Sequence, residues 1–290
     1  YEKYISELSL AKDFYLNYQE KGPYPLTASS YFLPSCTQGM DVIFCIDFTG
    51  SMGAAINDIK TSIANIVNTI ITESDNDYRL GLVLFDAYRQ GQSITYAGST
   101  SYSNLPASQK EITTVSLSGP NSGTPNTPVF QVLTALEMMS ANNQAPFNTV
   151  LQQLNTPLPG IPIGGGALAA GPEPGDLAIE EIIDNNFAGA FRNNVAKLII
   201  TITDNYPGGF KEDYDADVIS RLQTLVTTST SQQIQHLVML KLATQSLNPT
   251  PMYANTGYRI LSDNTDGVFV DNFTPADIIT AIQDLCIINA

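Results

Sequence analysis

Short apolar runs and amphipathic stretches alternate along most of the chain from residue 41 onward. The runs at 41–47, 79–85, 197–204 and 234–242 are rich in Ile, Leu and Val. Such runs are typical of strands that are buried on both faces of a parallel sheet. After Gly53 the apolar residues recur at spacings of three and four, which predicts an amphipathic helix.

The remaining pattern predicts more helices and one further strand. Thr274-Pro275-Ala276-Asp277 is a capping signature, so a final helix is expected to run to about residue 287. The other predicted helices cover 147–154, 177–187 (with Asp176 as its N-cap) and 215–228, a short strand covers 268–270, and 130–140 fits either type. Strands separated by helices predict an α/β fold, with a doubly wound, mostly parallel central sheet flanked by helices.

The chain is predicted to form one domain with an N-terminal arm. Residues 1–40 are assigned to a helical arm and connector, with a helix over 1–22, and residues 41–290 to the domain. The segment 97–128 is rich in Ser, Thr, Gly, Pro and Asn and is predicted to be a surface insertion. The arm is expected either to pack on the domain or to reach a neighbouring subunit, which would allow self-assembly.

Charge and composition exclude several classes of partner. The 290 residues carry a net charge of −15, and no long apolar run is present. Binding to nucleic acid requires clustered Lys and Arg, and insertion into a membrane requires about 18 consecutive apolar residues, so neither partner is expected. An acidic chain suits metal cations or basic surfaces instead. The sequence begins at Tyr1 without an initiator Met or a signal-peptide pattern, as expected of a processed or truncated product.

Oxygen-bearing side chains follow two of the predicted strands. Asp47 ends the first strand and is followed by Thr49 and Ser51, and Asp204 ends the strand over 197–204. In an open α/β sheet, ligands bind at the carboxyl ends of the strands, so these side chains are expected to converge. Carboxylate and hydroxyl oxygens are the ligands that a small, hard cation prefers. The residues therefore predict a divalent-cation site.

The same residues resemble a known family. The segment Asp47-Phe48-Thr49-Gly50-Ser51 is similar to the Asp-x-Ser/Thr-x-Ser signature of von Willebrand factor A-type domains, which opens their metal-ion-dependent adhesion site. Asp204 matches the family's later aspartate. Glu173, in the segment Ala170-Gly171-Pro172-Glu173, resembles the Pro-Glu ligand of the branch that includes integrin β subunits. The segment from 258 to 269 and the helix after it also resemble the family's last strand and helix.

The resemblance implies a cofactor, a ligand set and a partner. The cofactor would be Mg²⁺ or Mn²⁺, with Ca²⁺ as a further candidate. Thr49 and Ser51 would coordinate the ion through their hydroxyls, and Asp47, Glu173 and Asp204 would do so directly or through water. One open position would accept an Asp or Glu carboxylate of a protein partner. The resemblance also implies a disulfide between Cys36 and Cys286, because some secreted members of the family join their chain ends, and it leaves Cys45 as a buried thiol.

Other interpretations of these residues remain open. The segment from Asp47 to Ser51 could be a polar turn in which Ser51 caps the next helix, and Glu173 could be a solvated loop acid. Catalysis is not expected. His236 lies in an apolar run, which is typical of a core histidine, and Thr49 occupies the place where an aspartyl-phosphate enzyme needs a second acid.

Two functions follow from the sequence. The first, which the resemblance implies, is a metal-dependent adhesion or protein-interaction domain, extracellular or exposed on a surface. The alternative is a structural subunit of a virion, filament or surface appendage, in which the cation is structural or absent and the arm and the insertion make the contacts.

Overall fold

The computed structural model describes residues 33–47, 52–87, 111–112, 130–138, 140–153, 175–207, 216–241 and 251–288. The chain divides into two units, Tyr1–Phe32 and Leu33–Ala290, and every described residue belongs to the second. The predicted helix over 1–22 and most of the predicted insertion at 97–128 lie outside the described residues. The division falls after Phe32, whereas the sequence places the end of the arm at residue 40.

The described strands form one mostly parallel sheet. They are β1 (Met40–Asp47), β2 (Tyr78–Ala87), β3 (Glu111–Ile112), β4 (Phe130–Leu136), β5 (Ala196–Thr203), β6 (Ile234–Leu240) and β7 (Val268–Asp271). Their order across the seven-stranded sheet is β3-β4-β2-β1-β5-β6-β7, so β1 is the central strand. The strands β2, β1, β5, β6 and β7 run parallel, and the pairings of β2 with β4 and of β4 with β3 are antiparallel.

Helices cover both faces of this sheet, which confirms the predicted fold class. They are α1 (Gly53–Glu73), α2 (Gln144–Gln153), α3 (Gly175–Asp184), α4 (Ala216–Gln232), α5 (Pro251–Asp263) and α6 (Pro275–Ile288). Buried residues of α1, α2 and α6 share one hydrophobic cluster with the sheet, and those of α3, α4 and α5 share the other. None of the described helices is long and apolar enough to span a bilayer.

The burial of β1 explains its continuous apolar sequence. All eight of its residues are buried. Val42 and Phe44 belong to the cluster under α1 and α6, whereas Ile43 and Cys45 belong to the cluster under α3 and α4. Successive side chains of a strand point to opposite faces, so a strand with helices on both sides needs an apolar residue at nearly every position.

The structure settles several details that the sequence left open or missed. Residues 130–136 form a strand, and the helix Pro251–Asp263 is not predicted by the sequence pattern. Asp176 lies within the first turn of α3, one residue after its start, and so does not take the N-cap position predicted for it. The capping signature before α6 is confirmed, because the Asp277 carboxylate accepts hydrogen bonds from the backbone N–H and the hydroxyl of Thr274, at 2.6 and 2.8 Å.

A disulfide links the two ends of the described unit. It joins Cys36, which precedes β1, to Cys286 in α6, and the two Cα atoms are 5.4 Å apart. Both residues are buried, and Cys45 is a buried free thiol. This is the pairing that the family resemblance implies.

His236 is a core residue of β6. Its side chain is fully buried, and its Nε2 atom lies 2.8 Å from the Ser229 hydroxyl. Burial lowers the pKa of His236 from 6.5 to about 3, because the charged imidazolium would lose its hydration. The imidazole is therefore neutral at pH 7 and lies inside the protein, as expected of a core histidine.

The buried imidazole predicts a loss of stability in mild acid. Between pH 6.5 and 3 the unfolded chain binds a proton at His236 that the folded chain does not, so stability falls as the pH falls. The expected loss is about 2 kcal/mol between pH 8 and pH 5. Urea unfolding of the wild-type protein and of His236→Gln across this range measures it. Because His236 is the only histidine in the chain, the difference between the two proteins isolates this residue. Parallel stability curves would contradict the prediction.

Candidate metal centre

The candidate site lies where the order of the strands reverses. From β1 the chain passes to β2 on one side, and the later strand β5 pairs with β1 on the other side. The helices that follow β1 and β5, α1 and α4, lie on opposite faces of the sheet. At such a reversal, open α/β sheets bind ligands at the carboxyl ends of the strands. Asp47 and Asp204 are the acidic residues at these ends.

Asp47 is the last residue of β1 and is fully buried. Its neighbour across the pair of β1 and β2 is Phe85. The Asp47 charge acts on its surroundings, because burial and then this carboxylate both raise the pKa of the Cys45 thiol. A buried carboxylate is costly unless hydrogen-bond donors or cations surround it.

One such donor comes from the neighbouring strand. The Thr203 hydroxyl, at the end of β5, donates a hydrogen bond of 2.8 Å to Asp47 Oδ2. The register explains this contact, since Ile46 pairs with Ile202 and the next residues along both strands therefore lie side by side. Thr203 is fully buried as well. The sequence analysis did not identify this residue.

Asp204 follows Thr203 directly and is 8% exposed. The backbone N–H of Asn205 donates to the Thr203 hydroxyl at 3.2 Å, so the chain turns tightly over the end of β5. Two carboxylates thus stand at the ends of adjacent strands, one fully buried and one almost so. The carboxylates of Asp47 and Asp204 present only oxygen atoms, and such donors fit a hard divalent cation.

The N-terminus of α3 lies on the same face of the sheet as Asp47. A Cβ atom on Gly175 would lie 3.0 Å from Phe85, the partner of Asp47, and 2.1 Å from the Tyr258 hydroxyl. Only glycine therefore allows α3 to begin this close to the sheet. The positive end of the α3 helix dipole therefore lies beside Phe85, the residue that pairs with Asp47.

A salt-bridge cluster holds α3 against α4. The Arg221 guanidinium, in α4, lies 3.1 Å from the buried Asp176 carboxylate and also pairs with Glu180. Asp176 belongs to the first turn of α3, so this cluster fixes the turn that follows the predicted ligand Glu173.

The structure brings together only part of the predicted ligand set. Asp47 and Asp204 lie at one edge of the sheet, as predicted, whereas Thr49, Ser51 and Glu173 lie outside the described residues. Within the described ranges, no three His, Cys, Asp or Glu side chains gather closely enough to hold a metal ion. The five-ligand site therefore stays a prediction.

Comparison with solved structures finds distant likenesses. A structure of proximal thread matrix protein 1 from the mussel byssus has a TM-score of 0.48 and 11% sequence identity, and the match covers 87% of this chain and 48% of that chain. This chain thus spans about half the length of the mussel protein. An aerotolerance-related membrane protein from Bacteroides fragilis has a TM-score of 0.45 and 11% identity, over 86% of this chain and 98% of that chain.

These likenesses give no basis for transferring a role, since the identities and TM-scores are low. No protein-family model matches the sequence, and no curated protein is found to be similar to it.

Proposed function

We propose that the chain is a metal-dependent protein-interaction domain of the adhesion type. One Mg²⁺ or Mn²⁺ would bind at the carboxyl ends of β1 and β5 and would accept a carboxylate from a partner protein in an open coordination position. The observation that carries the proposal is the pair of buried or nearly buried carboxylates, Asp47 and Asp204, at the switch point of the sheet. Without a cation, two such neighbouring charges would repel each other.

Chain connectivity supports Thr49 and Ser51 as ligands. Thr49 is two residues from Asp47, and Ser51 immediately precedes Met52, which is fully buried. Two residues of extended chain span at most about 7 Å, so the Thr49 backbone stays within this reach of Asp47. The segment 48–51 joins the central strand to α1, which is the position that the adhesion signature implies.

Similar reasoning supports Glu173. It is two residues before Gly175, whose Cα packs beside Phe85 and Tyr258. Two residues of backbone span at most about 7 Å, so the Glu173 backbone lies within this distance of Gly175. From there its side chain can extend toward the carboxyl end of β1. The resulting set contains three carboxylates and two hydroxyls, and the carboxylates supply the charge that binds the ion.

The proposal extends to location and partner. The Cys36–Cys286 disulfide favours an oxidising compartment, so we propose an extracellular or surface-exposed protein. The net charge of −15 disfavours an acidic partner unless a cation bridges the two surfaces. Binding of such a partner should therefore disappear when a chelator removes the ion.

Cation binding is expected to stabilise the protein. Mn²⁺ at about 100 times its dissociation constant should add about 2.7 kcal/mol to the free energy of unfolding. We expect Asp47→Asn and Asp204→Asn to weaken Mn²⁺ binding at least about a hundredfold, because loss of even an indirect partner of a metal ligand costs 10–100-fold. Isothermal titration with Mn²⁺, together with thermal unfolding with and without the ion, measures both effects.

Asp184→Asn is the matched control. Asp184 is an exposed acid at the far end of α3, and its substitution removes the same charge away from the candidate site. Its Mn²⁺ affinity should equal that of the wild-type protein. Failure of the wild-type protein to bind Mn²⁺ and Mg²⁺ would overturn the proposal, as would equal losses in all three variants.

The structural-subunit alternative gives a different result. Assembly lost on deletion of residues 1–35, with Mn²⁺ binding and the effects of chelator both absent, would favour that function. Turnover of a substrate would instead favour an enzyme, which the proposal does not expect.

A further inference from the structure

We propose that Thr203 positions the Asp47 carboxylate for the cation. This inference rests on the proposed function, since it assigns a role toward the same ion. Thr203 is not one of the five predicted ligands, and it acts through Asp47. The resemblance does not assign it a role.

The geometry that carries the inference is the hydrogen bond between the two strands. Thr203 Oγ1 lies 2.8 Å from Asp47 Oδ2, and both residues are fully buried. A hydrogen bond to a charged carboxylate in a buried setting is strong and directional. It fixes the rotation of the carboxylate and occupies one of its roughly four lone-pair positions, which leaves the others in a fixed orientation.

The backbone of Asn205 determines which oxygen is the donor in this hydrogen bond. Its backbone N–H donates to Thr203 Oγ1 at 3.2 Å, so the hydroxyl oxygen already acts as an acceptor. The hydroxyl proton can then go to Asp47 Oδ2, or to the Asn205 carbonyl at 3.4 Å. The shorter contact, which involves a charged acceptor, is the stronger one. The turn that carries Asp204 is thereby linked to the carboxylate of Asp47.

Thr201 on the same strand provides a contrast. Thr201 and Thr203 are two residues apart on β5, so both side chains face the same side of the sheet, and both are fully buried. Within the described residues, the Thr201 hydroxyl has no hydrogen-bond partner. The two threonines therefore share strand, face and burial, and they differ in the contact to Asp47.

The test measures Mn²⁺ affinity and the free energy of unfolding of the metal-free protein in four variants. Thr203→Val removes the hydroxyl while keeping the shape, and it should weaken Mn²⁺ binding about 10- to 100-fold. Thr203→Ser restores the hydroxyl and should stay within about threefold of the wild-type affinity. Thr201→Val should leave the affinity unchanged. Thr203→Ala serves as the second hydroxyl-free variant if Thr203→Val does not fold.

A merely structural role for Thr203 would change the unfolding free energy but not the Mn²⁺ affinity of the folded fraction. This inference would therefore be overturned if Thr203→Val, or Thr203→Ala, bound Mn²⁺ as tightly as the wild-type protein does. The proposed function would still stand. Absence of Mn²⁺ binding in the wild-type protein would overturn the proposed function itself. An equal loss in Thr201→Val and Thr203→Val would also overturn the inference, because it would assign the effect to β5 as a whole.

Discussion

Removal of the Cys36–Cys286 disulfide is expected to lower the free energy of unfolding by about 3 to 5 kcal/mol. The two cysteines are 250 residues apart, so the bond closes almost the whole described unit into one loop. In the chain-entropy description, such a loop restricts the unfolded state by about 5 kcal/mol. In the folded protein the bond holds the segment before β1 against the last helix, α6.

The measurement is thermal unfolding of the double variant Cys36→Ala/Cys286→Ala beside the wild-type protein. A loss of this size should lower Tm by about 10 °C in a domain of this length. The reduced wild-type protein should behave like the double variant, which provides the control for the loss of the two sulfur atoms. The bond lies away from Asp47, so Mn²⁺ affinity should stay within about twofold. Equal stability of the oxidised and reduced proteins would contradict the prediction.

The fold was largely predictable because most elements bury a complete face. The strand β1 is apolar at nearly every position since helices cover both sides of it, and α1 buries one regular stripe that includes Ile56, Ile59 and Ile63. Each pattern is determined by local geometry, so a periodicity in the sequence is sufficient to find it. The parallel arrangement then follows from the alternation of strands and helices.

The helix α5 was not predictable in this way. It begins at Pro251 and contains Gly257, both of which interrupt helical patterns. Among the described side chains of α5, the large apolar ones that are buried are Tyr258 and Leu261, which cover a single turn. This helix is stabilised by packing against β6, β7 and α4 and not by an apolar stripe of its own. Such tertiary contacts are not visible in a local sequence pattern.

The part of the candidate site that lies at the strand ends was predictable from the sequence. Asp47 and Asp204 are acids directly after apolar runs, so their place at one edge of the sheet follows from the sequence. Thr203 was missed because β-branched residues are common in strands, so a threonine at this position does not by itself indicate a functional role. Its role depends on the register between β1 and β5, and the two strands are far apart in sequence. The resemblance to a family added Glu173, which no local pattern identifies.

Replacement of Asp41 by alanine is expected to destabilise the protein by about 3 to 5 kcal/mol. Asp41 is fully buried near the start of β1 and pairs with two arginines, Arg79 and Arg192. Its Oδ1 atom accepts hydrogen bonds of 2.9 Å from the Nε atoms of both. Its Oδ2 atom also accepts the backbone N–H of Arg192 at 2.7 Å.

The loss is large because the alanine variant removes the buried carboxylate that two guanidinium groups and a backbone N–H share as an acceptor. The side chains of Arg79 and Arg192 are only 14% and 27% exposed, so water replaces the carboxylate poorly. Asp77→Ala is the matched control, since Asp77 pairs with the same Arg192 at 2.6 Å but is 49% exposed. An exposed pair of this kind contributes at most about 1 kcal/mol. Urea unfolding of both variants at pH 7 gives the comparison. Similar losses in the two variants would show that burial does not decide the strength of these pairs.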